Sequence, residues 1–345
     1  MAGAAAHLFP GYRCLVGRAH AGQDADGGDL GLRRESGSPS DTLPAAPPGV
    51  AIAPRLVRAC FAADVMALKP GNVSRYAAGH GMRAEDFLRS GTVVSPILCE
   101  RARSVGERIL RAVQATMRQV GCNTNLGMLL LFAPLIRAAE EAPAGGLAGL
   151  RQALAKVLAD LRGAEGERIF RAIREARPGG LGSSRRYDVR SASGHELLEA
   201  MRHARRRDRI ALQYVSGYED IFSSGIPCFS KALARYGDVE WALTMCYIEF
   251  LCSFADSHVC RRHGRAAAEA LCGKALRMRQ ALLAREDPRD CLPALLQLDG
   301  ELKGARINPG TSADLAAASL LAWRLVHGDG ALPQDTRNDN CHGGK

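Results

Sequence analysis

Apolar residues recur at steps of three and four positions along most of this chain, and this spacing most limits its fold. In residues 52–68 the apolar side chains on one side of a helix include Val57, Phe61, Val65 and Leu68. Aromatic residues make up only 5% of the sequence, which favours helices over sheets of aromatic and β-branched strands. We therefore predict an all-α fold, a single large multi-helix domain with long glycine-rich functional loops.

Helix start and stop signals divide the chain. We predict helices over residues 52–68, 84–89, 95–118, 126–139, 150–161, 165–176, 194–207, 228–236, 238–257, 264–285, 288–299 and 311–326. Residues 1–50 are rich in Gly, Ala, Ser, Pro and Asp and show no periodicity, so we predict a disordered leader there. The helical domain then covers residues 51–327, and residues 328–345 form a flexible tail.

The formal net charge of +10 invites a comparison with nucleic-acid-binding proteins. Basic residues are scattered, however, and the densest cluster, Arg202 to Arg209, is interpreted as a solvated helix end rather than a phosphate grip. Stacking bases would need an aromatic platform, which does not accompany this cluster. Nucleic acid is therefore an unlikely partner, whereas anionic small molecules such as ATP or fragments of coenzyme A fit the charge.

Cysteine usage and hydropathy bear on the cellular environment. The eleven cysteines are irregularly spaced, and several, such as Cys246 and Cys252, lie in apolar helical runs, which is typical of buried, reduced thiols. No signal peptide and no apolar run long enough for a membrane helix are recognised. We expect a cytoplasmic protein without membrane contact, and a homo-oligomer is left open.

Two glycine-punctuated polar segments border apolar helices. In the first, Lys69 could meet a phosphate as a point charge, Gly71 allows a close approach of backbone amides, and Asn72 supplies a neutral donor and acceptor. The alternative is an ordinary helix C-terminal turn with an exposed lysine.

The second segment opens the very apolar helix predicted at residue 126. The free amides of that helix offer an anion site, and the segment's polar or glycine residues Asn123, Thr124, Asn125 and Gly127 are candidate nucleotide or phosphate ligands. The alternative is that Thr124 caps the helix while Asn123 lies in a turn.

A third polar loop runs from Pro178 to Asp188. Its adjacent arginines, Arg185 and Arg186, could bind phosphate oxygens in pairs, and Asp188 could hold a Mg²⁺ ion that bridges a triphosphate. The alternative is an exposed loop whose arginines meet water and carboxylates.

Four carboxylates stand out because they lie beside apolar helical residues or in a capping turn: Glu107, Asp220, Asp256 and Asp314. Buried carboxylates need partners. Arginines four residues to either side of Glu107 explain that residue by surface salt bridges, whereas the bulky apolar groups around Asp220 favour a pocket. Asp314 follows the Asn308-Pro309-Gly310 turn, and Thr311 or Ser312 caps the next helix.

Taken in order, the motifs resemble those of the triphosphoribosyl-dephospho-CoA synthase family over residues 52–326. The matching positions are Lys69-Pro70-Gly71, His80, Phe87, Ser90, Gly106-Glu107, Asn123-Thr124, Gly127, Pro178-Gly179-Gly180-Leu181-Gly182, Asp256 to Arg262, Gly264, Asn308-Pro309-Gly310 and Ser312-Ala313-Asp314. The resemblance implies an all-helical transferase that joins ATP to the 2′-hydroxyl of 3′-dephospho-CoA and releases adenine.

The resemblance also implies roles for the candidate residues. Asp220 and Asp256 would stabilise an oxocarbenium-like transition state and take the proton of the attacking hydroxyl. The triphosphate, which is not cleaved, would be held by basic residues and Mg²⁺, with Glu107 and Asp188 as the metal ligands. The basic residues are Lys69, Arg185 and Arg186, and the polar residues that orient sugars or phosphates are Asn72, Asn123, Asn125, Asn308 and Ser312.

The chain departs from the family pattern after the Asn-Thr pair. Members usually continue with His and a basic residue before the glycine, whereas this chain has Asn125-Leu126 before Gly127. This version is similar to a divergent branch of archaea and methylotrophic bacteria, so the acceptor could be 3′-dephospho-CoA or a related small molecule. The alternatives are an ATP-dependent enzyme of C1-carrier cofactor biosynthesis and a non-catalytic nucleotide- or RNA-binding protein.

Overall fold

Helices account for the regular structure of the chain. The computed structural model describes residues 50–142, 145–179, 186–190 and 196–328, and within these ranges it contains fourteen α-helices and no β-strand. They are α1 (Pro54–Met66), α2 (Ala84–Leu98), α3 (Val105–Val120), α4 (Leu126–Glu141), α5 (Gly146–Ala159), α6 (Ala164–Ala176), α7 (Leu197–Ala204), α8 (Arg209–Ser216), α9 (Ile226–Tyr236), α10 (Val239–Ser253), α11 (Ser257–His263), α12 (Arg265–Ala284), α13 (Leu292–Gly304) and α14 (Gly310–His327). The predicted all-α fold is confirmed.

The centre of the domain is formed by α4, α10 and α14, which are apolar on almost every side. A helix of this kind must be buried on all faces. Accordingly, α14 packs against α4 and α10, and against α1 and α9 on its other sides, while α3 packs against α2 and α6 at the periphery. The polar N-terminal turns of α4 and α14 are therefore held close together in the interior.

Three predicted helix boundaries are wrong. The helix that begins at Ala84 does not stop near residue 89 but runs to Leu98, and α3 starts only after Ser104, whose side chain accepts a hydrogen bond from the Glu107 amide. The predicted helix 238–257 ends at Ser253 because Asp256 caps a separate helix, α11.

Helix α8 and the π-helical turn Ile221–Gly225 that follows it were not predicted. Residues 1–49 and 329–345, to which the predicted leader and most of the predicted tail belong, lie outside the described residues. None of the helices that the structure describes has the length and hydropathy needed to cross a membrane. The nine cysteines in the described ranges are free thiols, as their spacing predicts.

Candidate functional site

A cavity of about 690 Å³ opens where the N-terminal turns of α4 and α14 meet α6, α7, α8 and α11. This volume is typical of sites that bury a small-molecule ligand. The part lined by α6 and α7 is apolar, with Phe170, Ile173 and Met201 among its residues, whereas the helix termini supply polar groups. The cavity can therefore hold a ligand that has both an uncharged and a highly charged part.

The segment before α4 lines this cavity, as predicted for a ligand site. The Oδ1 atom of Asn123 accepts a hydrogen bond from the Leu126 amide at 3.0 Å, and Thr124 donates to Ser90 Oγ at 2.9 Å. The N-cap position of α4 is Asn125, not Thr124, and the first helical amide is bound by Asn123 in the preceding turn. Asn125 is 3% exposed; its Oδ1 accepts from Thr116, and its Nδ2 has no hydrogen-bond partner within the ranges that the structure describes.

The Lys69–Asn72 segment forms a neighbouring part of the lining through Asn72 alone. Asn72 donates to Asn308 at 3.0 Å, and both amides line the cavity, which agrees with their predicted place in one site. Gly71 does not line it: its amide donates to Asp299 at 2.8 Å, and its φ of +85° explains why glycine is needed. Gly71 therefore shapes the loop instead of meeting a phosphate.

Lys69, which we predicted to bind phosphate, does not belong to the cavity lining, and it is not the exposed lysine of the alternative interpretation either. Its side chain is fully buried, at 0% exposure, and forms an ion pair with Asp64 of α1. Asp64 lines the cavity, whereas Lys69 does not. A buried charge needs a counter-ion, so the lysine stabilises the negative charge of Asp64 at the edge of the site.

A second carboxylate, Asp314, lines the cavity from the first turn of α14. A Cβ added at Gly127 would overlap this carboxylate, so the glycine allows Asp314 to pack against the first turn of α4. Burial, then the negative charge of Asp64, raises the pKa of Asp314 well above its usual value, while Lys69 opposes the shift. Asp64, Asp314, Asn125 and Gly127 are called the carboxylate corner below.

Arginines line another part of the cavity, and the four residues Arg177, Arg207, Arg261 and Arg262 are called the basic wall. Arg261 pairs with Asp208 at 2.6 Å. Among the described residues, Arg177 and Arg262 form no ion pair, so their charges are available to a ligand. One member of the Arg202–Arg209 cluster, Arg207, thus faces the site, whereas Arg202 pairs with Glu199 on the exposed surface.

His258 of α11 also lines the cavity and lies beside the Gly310 backbone. Burial, followed by the positive charges of Arg261 and Arg262, lowers its pKa to about 4. The imidazole is therefore neutral at physiological pH. It can donate or accept a hydrogen bond there without adding charge to the basic wall.

The two predicted catalytic carboxylates are both engaged away from the cavity lining. Asp220 is bound by two Arg209 nitrogens at 2.7 and 2.8 Å and by Gln213 at 2.5 Å. Asp256 is 1% exposed and accepts four hydrogen bonds, from the His258 and Val259 amides and from the amide and hydroxyl of Ser312. Their catalytic assignment stays a prediction, and the geometry favours Asp64 and Asp314 instead.

The Asp256 bonds also explain Ser312. This serine is fully buried and joins the first turn of α14 to the cap of α11, so it does not reach the cavity itself. Because burial outweighs the hydrogen bonds, the pKa of Asp256 is raised. Both residues hold His258 and Asp314 in position.

The predicted metal ligands are not brought together. Glu107 pairs with Arg103 at the start of α3, outside the lining, whereas Asp188 lines the cavity and accepts from the Arg190 amide at 3.0 Å. Within the described ranges no group of three or more His, Cys, Asp or Glu side chains could hold a metal ion. Arg185 lies outside the described residues, and Arg186 stacks on Tyr187 rather than lining the cavity.

A sequence model of the ATP:dephospho-CoA triphosphoribosyl transferase family matches residues 51–332. The chain belongs to this family. The crystal structure of a proposed triphosphoribosyl-dephospho-CoA synthase from Archaeoglobus fulgidus is similar, with a TM-score of 0.54 and 26% identity, over 70% of this chain and 99% of the archaeal one. A search of curated proteins gives no significant match. The predicted resemblance is confirmed, and the protein is a transferase with ATP as a substrate.

Sequence reasoning about this transferase missed much of the lining. Asp64 carried a usable signal, because an acidic residue in the apolar run of α1, five positions before Lys69, is unusual without a buried partner. Asp314 was noted as a helix-turn carboxylate and not assigned to the site. The basic wall was signalled only in part: Arg207 belongs to the Arg202–Arg209 cluster, which we interpreted as a solvated helix end, and Arg261 and Arg262 lie in the family-matching segment Asp256 to Arg262. Three distant segments supply the wall and each contains other, exposed arginines, so the pattern did not indicate that they meet.

Proposed function

We propose that this protein transfers the triphosphoribosyl group of ATP to the 2′-hydroxyl of 3′-dephospho-CoA and releases adenine. Family membership supports the reaction type. The observation that supports it most directly is that one cavity has both a basic wall and a carboxylate corner. A triphosphate needs the first, and a positively charged ribose at the transition state needs the second.

In this proposal the basic wall holds the triphosphate. Since no phosphate bond is broken, the protein only has to neutralise and position the chain of phosphates. Arg177 and Arg262 meet phosphate oxygens directly, and Arg261 does so while retaining Asp208 as a partner. Asn72 and Asn308, already hydrogen-bonded to each other, orient sugar or phosphate oxygens from their own part of the lining.

Mg²⁺ would enter with the triphosphate. Such an ion keeps phosphate oxygens and water as most of its ligands and needs only one or two protein carboxylates. Of the two predicted ligands, Asp188 alone lines the cavity and would contact the ion. When bound, Mg²⁺ would neutralise part of the negative charge of the phosphates.

The carboxylate corner would perform the chemical step. The attacking hydroxyl gives its proton to Asp314 as its oxygen bonds to C1′, and the bond from C1′ to N9 breaks with its electron pair going to adenine. The departing adenine takes up one proton from water, and Asp314 returns its proton to solvent after the products leave. The raised pKa of Asp314 makes it a stronger base than an ordinary carboxylate. Asp64, with its charge stabilised by Lys69, faces the positive charge that develops on the ribose.

The experiment is incubation of the purified protein with ATP, Mg²⁺ and 3′-dephospho-CoA, followed by chromatography for adenine and mass analysis of the adduct. Asp314→Asn should lose at least about 100-fold in kcat, the usual size of a general-base contribution. Asp220→Asn is the matched control, since that carboxylate lies outside the lining, and it should retain most of the activity of its folded fraction.

Two results would count against this proposal. Absence of adenine above a boiled control would remove the reaction, and other acceptors, including C1-carrier precursors, would then be offered. Equal losses in the Asp314 and Asp220 variants, with both still melting cooperatively, would remove the role given to Asp314.

A further inference from the structure

Asn125 has a buried hydrogen-bond donor that no group in the described part of the chain satisfies. The residue is 3% exposed, lines the cavity, and has its Oδ1 held by the Thr116 hydroxyl at 3.3 Å, which leaves Nδ2 as the unpartnered atom. Such a donor normally costs stability unless it is paired. Asn125 is the N-cap residue of α4 and belongs to the same cavity lining as Asp64 and Asp314.

The surroundings of Asn125 restrict the chemistry of that partner. Two residues along the chain, Gly127 is packed against the Asp314 carboxylate, and Asp64 acts electrostatically on the same carboxylate. A phosphate oxygen in this corner would meet the carboxyl group of Asp314, which forms no ion pair among the described residues, and would be repelled when that group is ionised. A hydroxyl group fits instead, because its oxygen can accept from the amide while its hydrogen is donated to a carboxylate.

We propose that Asn125 is the positioning residue for the attacking hydroxyl of the acceptor. Its Nδ2 donates to the hydroxyl oxygen and fixes it beside Asp314, so that the proton passes to the carboxylate as the new bond to C1′ forms. Thr116 sets the direction of this donor by holding the other end of the amide. The inference rests on the proposed transfer reaction and adds to it the residue that selects the nucleophile.

The test compares the affinities of two acceptors, with and without the 2′-hydroxyl, for two proteins, with and without the Asn125 side chain. 3′-Dephospho-CoA and its 2′-deoxy analogue are titrated into the wild type and Asn125→Ala, with the donor site filled by 9-deaza-ATP, whose base is joined to ribose by a carbon–carbon bond and cannot leave. The wild type should prefer the hydroxyl form about tenfold, the value of one good hydrogen bond. The variant should show a preference of less than about twofold.

Three controls make the result specific. Gln114→Ala truncates another carboxamide of the same region, bound to Glu175 outside the lining, and should keep the tenfold preference. Asn125→Ser is used if the alanine variant does not fold. The kcat of Asn125→Ala should fall about 10- to 100-fold while the KM for ATP stays within about twofold, which a general loss of structure would not produce.

A tenfold preference that persists in a folded Asn125→Ala protein would overturn the inference. The inference would also be overturned if Asn125→Ala lost the preference of the wild type for ATP over 2′-deoxy-ATP in the same kind of titration. Asn125 would then contact the sugar of the donor rather than the hydroxyl of the acceptor. In both cases the enzyme still makes the adduct, so the proposed function stands and only the role of Asn125 is removed. If the wild type neither binds 3′-dephospho-CoA nor releases adenine, the proposed function fails and this inference fails with it.

Discussion

Gly127 tests the geometry of the carboxylate corner more directly than any charged residue. In Gly127→Ala the new Cβ would lie well inside van der Waals contact with both Oδ2 and Cγ of Asp314 and 2.9 Å from Cδ1 of Ile210. The helix backbone of α4 is held by the surrounding core, so the carboxylate must move. We expect the substitution to displace Asp314 without removing any functional group.

Two opposing contributions set the change in unfolding free energy of Gly127→Ala. An overpacked core position costs about 1–3 kcal/mol, while replacing glycine by alanine in a helix returns up to about 1 kcal/mol. The net loss of unfolding free energy should be about 1 kcal/mol. A displacement of about 1 Å at a reacting group costs about 100-fold in rate, so kcat should fall much more than stability does.

Gly300→Ala provides the control, because Gly300 lies in α13 and a Cβ added there meets no atom of the described residues within 4 Å. This variant should gain up to about 1 kcal/mol and keep full activity. Urea denaturation gives the stabilities, and adenine release gives kcat. A Gly127→Ala protein that is fully active and stabilised as much as Gly300→Ala would refute the placement of Asp314.

Three further substitutions test the charges around the site. Lys69→Met leaves the Asp64 carboxylate buried without its counter-ion and should cost about 3–5 kcal/mol in urea denaturation; adding Asp64→Asn should restore most of it. His258 has a pKa of about 4 in the fold against an ordinary 6.5, so the unfolded chain takes up its proton first, and stability should fall by about 3 kcal/mol between pH 6.5 and 4. Calorimetric melts of His258→Asn should not show this loss of stability at low pH. If the variant still loses the same stability, another group is responsible for it. Arg262→Gln should raise the KM for ATP about tenfold with little change in kcat, whereas Arg265→Gln, outside the lining, should change neither; equal effects would remove Arg262 from the ATP site.

The sequence predicts most helices because amphipathic spacing and capping residues are local properties. It fails where local signals compete with packing. Pro96 suggests a helix start near residue 95, yet it lies inside α2, and the chain breaks at Ser104 instead. Helix α8 is too short for its periodicity to be distinguished from the loop before it.

For the site, too, the sequence predicts some residues and not others. Asn72, Asn123, Asn125 and Asn308 could be placed in one pocket because neutral polar side chains next to glycine turns have few other uses. The ionic residues could not be assigned, because a charge that binds a ligand and a charge that binds a neighbour have the same sequence pattern. Asp220 illustrates this, since its apolar sequence neighbours suggested a pocket and its partner is Arg209.

Lys69 shows how an internal ion pair can bear on catalysis. Two carboxyl groups in one corner disfavour each other's charged form, so that one of them keeps its proton to a higher pH. Among the described residues, Lys69 pairs with Asp64 and Asp314 forms no ion pair, which makes the two carboxyls unequal. Burial, followed by the charge of Asp64, raises the pKa of Asp314. Unequal environments are what allow one carboxyl to act as a base while the other stabilises positive charge. Lys69 thereby influences the proposed reaction without touching either substrate, and a lysine expected to bind phosphate is better understood as the residue that separates the roles of two aspartates.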